Sequence, residues 1–192
     1  VLETDKQEHI KVDYLVNACG FKTGEIDDML TLKRERMVEF KAAYITYWQQ
    51  CEGQWPEVIF YGERGTPQGM AQLTPYANGY FQLHGMTQDI TLFKNGLVAT
   101  TSKSAQPKLE QEFITKIDDA WQAENIYART NKSISHMSQF IPDFSSAKMG
   151  GNPLFGAQQI PGADADLRAA DVTFSGHNYA RAEIVKASSA ID

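Results

Sequence analysis

The stretch Met70 to Thr87, MAQLTPYANGYFQLHGMT, decides the fold. Two apolar or aromatic runs flank Tyr76-Ala77-Asn78-Gly79, and Asn-Gly is a strong hairpin signal because both residues tolerate positive φ. The second arm alternates, with Tyr80, Gln82 and His84 pointing one way and Phe81, Leu83 and Gly85 the other. One face of such a hairpin needs covering by more sheet or by a helix. That places it centrally in an antiparallel sheet.

Upstream, Arg36 to Trp48 (RMVEFKAAYITYW) reads as a long strand. Val38, Phe40, Ala42, Tyr44, Thr46 and Trp48 share its apolar face, and Met37, Glu39, Lys41, Ala43, Ile45 and Tyr47 share the other. A helix is the competing reading, since Met, Glu, Lys and Ala are also helix formers. Glu57 to Tyr61 and Leu97 to Thr100 are short strands. Downstream, Phe113, Ile117, Trp121, Ala128, Ile134, Met137 and Ile141 recur near helical spacing, with Asn131 and Ser133 as the expected break if there are two helices, and Pro142 ends the run. Acids Asp118, Asp119 and Glu124 fit its solvated face. The fold class is α+β: a mostly antiparallel sheet of about six strands with a helical segment packed on one face.

Two flanking segments have a different character. Val12 to Ala18 is apolar on both faces, as in a buried parallel strand, and ends in the small residues Ala18, Cys19 and Gly20. Carboxyl ends of such strands are where ligands bind in open α/β sheets. Thr23 to Leu30 reads as a short helix capped by Thr23. Ala169 to Ile184 reads as a hairpin turning through Ser175-Gly176-His177-Asn178. These flanks, 1–31 and 163–192, are expected to be distinct from an antiparallel domain over 32–162.

Composition bounds the function classes. The 192 residues include 42% hydrophobic and 22% charged side chains, ordinary for a soluble domain with a real core. Net charge is −6, with 24 acids against 18 bases, which argues against nucleic acid or an anionic membrane as partner. No apolar run approaches the roughly 18 residues of a membrane span. Cys19 and Cys51 offer neither a disulfide framework nor metal-ligand spacing, so Cys19 is expected in the core and the setting is expected to be cytoplasmic. The loop Gly62-Glu63-Arg64-Gly65-Thr66-Pro67-Gln68-Gly69 sets three glycines and Gly65's neighbour Arg64 together, which suits an anion cradle. Its spacing is neither GxGxxG nor a P-loop, and a plain connection is the alternative. His84 reads as a structural strand residue, with a catalytic base as the alternative.

Val16-Asn17-Ala18-Cys19-Gly20-Phe21 resembles the "VNAAG-aromatic" segment of FAD-dependent oxidoreductases of the D-amino-acid oxidase and glycine oxidase superfamily. The hairpin is similar to the strands that floor their substrate cavity, and Met149 to Gly162 is similar to their "G-x-R-P-x-x-x-D-G-x-P-x-I-G" segment. The resemblance implies that Asn17, Ala18, Cys19, Gly20, Gly176 and His177 approach FAD, and that Arg64, His84 and Asn152 lie at the substrate. Asn152 stands where those relatives carry the arginine that clamps a substrate carboxylate, so the bidentate charged pair is lost. No GxGxxG is present. The chain is therefore expected to be the substrate-binding portion, without the FAD-binding half that it needs as partner, and inactive alone on its small-molecule substrate. The strand edge at Val12 to Ala18 is expected to invite pairing with a second copy. The alternative is a non-enzymatic ligand- or protein-binding domain using an aromatic sheet face of Tyr44, Trp48 and Tyr80.

Overall fold

A computed structural model describes residues 1–49, 54–63, 65–87, 93–119, 122–167 and 170–184. In chain order its elements are β1 (Leu2–Glu3), β2 (His9–Ile10), β3 (Leu15–Asn17), α1 (Thr23–Met29), β4 (Arg36–Tyr47), β5 (Val58–Phe60), β6 (Ala71–Pro75), β7 (Tyr80–Gly85), β8 (Leu97–Ala99), α2 (Gln111–Asp119), α3 (Ala123–Met137), β9 (Lys148–Met149), β10 (Leu154–Pro161), β11 (Ala170–Ser175) and β12 (Tyr179–Ile184). The fold is α+β. It divides into two compact units, Val1–Val38 with Val98–Lys108 and Gln158–Asp192, and Glu39–Leu97 with Leu109–Ala157.

The larger sheet runs β10-β4-β7-β6-β5, with β8 and β9 also pairing with β4. The β6–β7 hairpin is antiparallel and central, as its sequence requires: Leu73 faces Leu83 and Gln72 faces His84. Asn78 and Gly79 both take positive φ (60° and 79°), the conformation that makes Asn-Gly a turn signal. β4 is a strand, not a helix. Its Val38, Phe40, Ala42, Tyr44 and Thr46 are all buried, because period-two alternation puts every one of them on the same covered face. Tyr44 and Trp48 are therefore interior, and the aromatic contact surface expected of Tyr44, Trp48 and Tyr80 is not formed. Burial pushes the Tyr44 hydroxyl up to about 12, against the pull of the nearby Arg129 guanidinium.

Helix α3 covers the β6–β7 hairpin. Leu73, Phe81 and Leu83 pack with Ile134, Met137, Phe144 and Trp48 in one cluster. The helices break between α2 and α3, so Asn131 and Ser133 lie inside α3 rather than at the break. Thr130 tolerates the interior by donating its hydroxyl to the Ile126 carbonyl (2.8 Å).

Two glycines of the Gly62–Gly69 loop stand close against neighbouring backbone. A Cβ on Gly62 would sit 1.8 Å from the Gln68 carbonyl oxygen, and one on Gly69 2.6 Å from that of Met86. The Met86 carbonyl also accepts the Gly65 amide (2.7 Å). His136, buried on α3, holds the loop by a hydrogen bond to the Gly69 backbone, and burial lowers its pKa. These glycines serve close backbone approach. Arg64 and Trp121 lie outside the described residues.

Two outcomes test this packing. Gly62→Ala is expected to cost about 1–3 kcal/mol in urea denaturation, whereas Gly156→Ala, whose Cβ would meet nothing within 4 Å, is expected to change stability by less than about 0.5 kcal/mol. Because folding lowers the His136 pKa, the unfolded chain binds the extra proton first as pH falls below the ordinary imidazole value near 6.5. Stability is therefore full above that value and declines as pH falls toward the folded pKa; denaturation midpoints at pH 7.5 and 5, compared with His136→Gln, check it.

Candidate functional site

In the first unit a three-stranded sheet runs β11-β12-β3, with β11–β12 antiparallel and β12–β3 parallel. Residues facing one another across strands share a face. Val172, Phe174, Ala180, Ala182 and Val16 lie on one side; Asp171, Thr173, Tyr179, Arg181, Glu183 and Asn17 lie on the other. The apolar side is outward, with Val16 62%, Val172 54% and Phe174 73% exposed, and the polar side is inward. The sheet is inside out. The expected parallel strand is present, but its carboxyl half is not buried on both faces. Cys19 is correspondingly exposed rather than in the core.

An ion network makes the inward polar face possible. Arg36, fully buried, donates from Nε to Glu183 (2.7 Å), from Nη1 to the Ala105 carbonyl (2.8 Å) and from Nη2 to Asp27. Glu183 also accepts from Arg34 Nε (2.8 Å), and Arg34 Nη2 reaches Asp171. Arg181 stands 3.5 Å from Asp27. Three arginines balance three carboxylates, so the network buries no net charge. The Tyr179 hydroxyl donates to Asp27 (2.6 Å), and burial together with that carboxylate raises its pKa.

Asn17 joins this network. Its Nδ2 donates to the Thr23 carbonyl (2.9 Å) and the Tyr179 hydroxyl (2.8 Å), while Oδ1 accepts the Cys19 amide (3.3 Å). Its side-chain bonds thus shape the 17–23 turn. What the turn presents is Ala18, Cys19 and Gly20, all exposed, with Gly20 at φ +57° and nothing within 4 Å of where its Cβ would stand. Thr23 opens α1 without capping it; its hydroxyl donates instead to the Gly20 carbonyl (2.8 Å).

Gly176 and His177 are exposed in the β11–β12 turn, at the other end of the sheet. Tyr179 faces Leu15 and Arg181 faces Asn17, so the chain before Tyr179 lies beyond the amino end of β3 and Ala18–Gly20 beyond its carboxyl end. The structure does not bring the two groups together as one cofactor surface. The parallel register explains this, because only the carboxyl end of β12 lies beside Gly20.

In the second unit His84 lies on the side of the larger sheet turned away from α3, beside Gln72. Ile45 faces Gln82 on that side, and Gly151 packs on Ile45, with the exposed Asn152 next in the chain. His84 and Asn152 thus border one sheet face. That face also holds an ion pair that the sequence reading misses, Glu39 with Lys41 (3.0 Å), both almost fully buried. Their two-residue spacing is the available signal, since residues i and i+2 of a strand share a face. The Arg36 network has a signal too: Arg181 and Glu183 alternate with Ala180 and Ala182. Among the described residues no group of His, Cys, Asp and Glu could hold a metal ion, and no helix is long and apolar enough to cross a membrane.

Compared with protein-family models and with curated protein sequences, the chain gives no match.

Removing one partner of the network strands a buried charge. Asp27→Ala is expected to cost about 3–5 kcal/mol, whereas Asp171→Ala, on a part-exposed residue, is expected to cost about 1 kcal/mol or less; chemical denaturation of both variants checks the ranking.

Proposed function

We propose that this chain is the substrate-binding portion of a flavin-dependent oxidoreductase of the D-amino-acid oxidase type, working with an FAD-binding half. The observation that supports it most is the inside-out sheet of β11, β12 and β3. Parallel strands are ordinarily covered on both faces by α/β layers. Here a parallel pair keeps its polar face inward and leaves an apolar face, and the edge of β3 that is unpaired among the described residues, for another layer to cover. Leaving that much apolar surface in water is unfavourable, and a second half that buried it would gain roughly 25 cal/mol per Å².

In this reading Ala18, Cys19 and Gly20 form the close-approach surface toward the cofactor, at the carboxyl end of a parallel strand. Asn17 acts one step back, holding the turn. Gly176 and His177 take no part in that surface. FAD supplies the hydride acceptor when bound, and the chain's own residues orient the substrate. The face bordered by His84 and Asn152 carries hydrogen-bonding groups in place of the charged clamp of amino-acid-oxidising relatives, which points to a substrate whose carboxylate is absent or held elsewhere. A cytoplasmic setting belongs to the same reading. So does inactivity of the chain by itself.

The decisive experiment is a visible absorption spectrum of the chain co-purified with the FAD-binding half encoded by its complete gene. Flavin bands that bleach anaerobically on adding a substrate support the proposal. A folded, colourless protein that also ignores added FAD overturns it and leaves a protein-binding domain whose contact surface is Val16, Val172 and Phe174. In the flavin-loaded protein, Asn152→Arg is expected to lower KM for α-amino-acid substrates roughly tenfold or more through a charge-assisted pair; steady-state kinetics on a carboxylate series checks it.

A further inference from the structure

A cleft of about 440 Å³ lies wholly within the first unit. Lys33, Arg34 and Glu35, which lead into β4, form one wall, and Thr100, Thr101 and Ser102, which leave β8, form another. Its size falls in the range of small-molecule sites, roughly 300–1,000 Å³. The second wall is fastened to the fold. The Thr100 amide donates to the Arg36 carbonyl (3.0 Å) and the Thr101 amide to that of Ser104 (3.3 Å). Asp28 of α1 accepts from the Ser104 hydroxyl and from the Ala105 amide (2.7 Å), bonds that hold its carboxyl below the ordinary range.

What the cleft offers a ligand depends on which hydrogen-bonding positions the protein already fills. Thr100 Oγ1 accepts the Arg36 amide (3.4 Å), and Thr101 Oγ1 accepts the amides of Lys103 and Ser104 (3.3 Å each). A hydroxyl carries one proton and two lone pairs. These oxygens have therefore spent acceptor capacity and keep their protons to donate. Lys33 spends one of its three N–H bonds on the Ser102 carbonyl (3.4 Å). Arg34 commits Nε to Glu183 and Nη2 to Asp171, which leaves Nη1 without a bond among the described residues. The Ser102 hydroxyl is equally uncommitted among them. The remaining capacity is thus mostly donor, with Glu35 as the carboxylate in the lining.

We infer that this cleft binds the phosphate group of a small phosphate monoester. A donor-rich cleft calls for a ligand rich in acceptors. A phosphate monoester brings three acceptor oxygens and about −1.5 to −2 of charge. A carboxylate brings two oxygens and a single charge, and leaves more of the donors unpaired. Glu183 and Asp171 already balance Arg34, so the Lys33 ammonium supplies most of the attraction and Arg34 Nη1 directs a hydrogen bond. Glu35 opposes the ligand's charge. The volume beyond the phosphate takes the organic part of the ester. This site does not depend on the flavin reading, since none of these residues belongs to the 17–20 turn.

NMR titration of the full chain with glycerol phosphate, inorganic phosphate and acetate tests it. Saturable shifts of the Thr101 and Ser102 amides are expected with glycerol phosphate, with weaker binding of the other two. Lys33→Ala, at an exposed position, is expected to weaken binding about tenfold or more by removing a charge-assisted bond. Glu35→Gln is expected to tighten it about two- to fivefold by removing the opposing charge. Shifts that never saturate, or an affinity that Lys33→Ala leaves unchanged, overturn the site. Acetate binding as tightly as the ester overturns the choice of phosphate, and inorganic phosphate binding as tightly overturns the assignment to an organic ligand.

Discussion

Arg36 sets the terms for the first unit. A guanidinium with no exposure is tenable only if its charge is matched and its donors are directed. Asp27 from α1, Glu183 from β12 and the Ala105 carbonyl do both. Each comes from a segment far from the others in sequence, so the network specifies which segments meet. Its net contribution to stability against an apolar alternative is small. Its contribution to register is larger, because shifting β12 by one residue would turn Arg181 and Glu183 outward and bring Ala180 and Ala182 in.

That constraint explains the inversion of the small sheet. With charge on the inner face, alternation leaves the outer face to Val16, Val172 and Phe174. The second unit follows the opposite rule. There β4 and the β6–β7 hairpin turn their apolar residues toward α3, and the larger sheet keeps its polar residues on the other side. The same period-two chemistry thus yields two sheets of opposite polarity. The difference lies in what each inner face packs against: an ion network in one, aromatic and aliphatic side chains in the other.

The contrast also marks how far local sequence carries the fold. The hairpin is legible because its turn and its alternation agree, and β4 because its even positions from Val38 to Tyr44 are all apolar. The α+β class rests on those two. Val12 to Ala18 reads as buried because it is nearly continuous in β-formers, yet that character does not require burial on both faces; Val16 faces outward since its cross-strand neighbours Ala180 and Phe174 lie on the same side. Asn131 and Ser133 are weak helix formers and suggest a break, but tertiary packing holds them inside α3. Long-range pairings such as Arg36 with Glu183 leave only a local trace, a charge at an alternating position, and that trace does not name its partner.

The candidate site is legible in part for the same reason. Asn17, Ala18, Cys19 and Gly20 stand out as small or polar residues ending a strand, and they do form one turn. The direction of each side chain is not encoded locally. Asn17 points inward because Tyr179 and the Thr23 carbonyl offer it bonds there, and the register of β3 on β12 brings Tyr179 close. The same register carries Gly176 and His177 away to the far end, although their turn reads in sequence like a partner to Gly20. A parallel pair must set the start of one strand beside the start of the other. Once β3 and β12 pair in parallel, the turn before β12 cannot share a surface with the turn after β3, and a ligand at Gly20 would meet the carboxyl end of β12 instead.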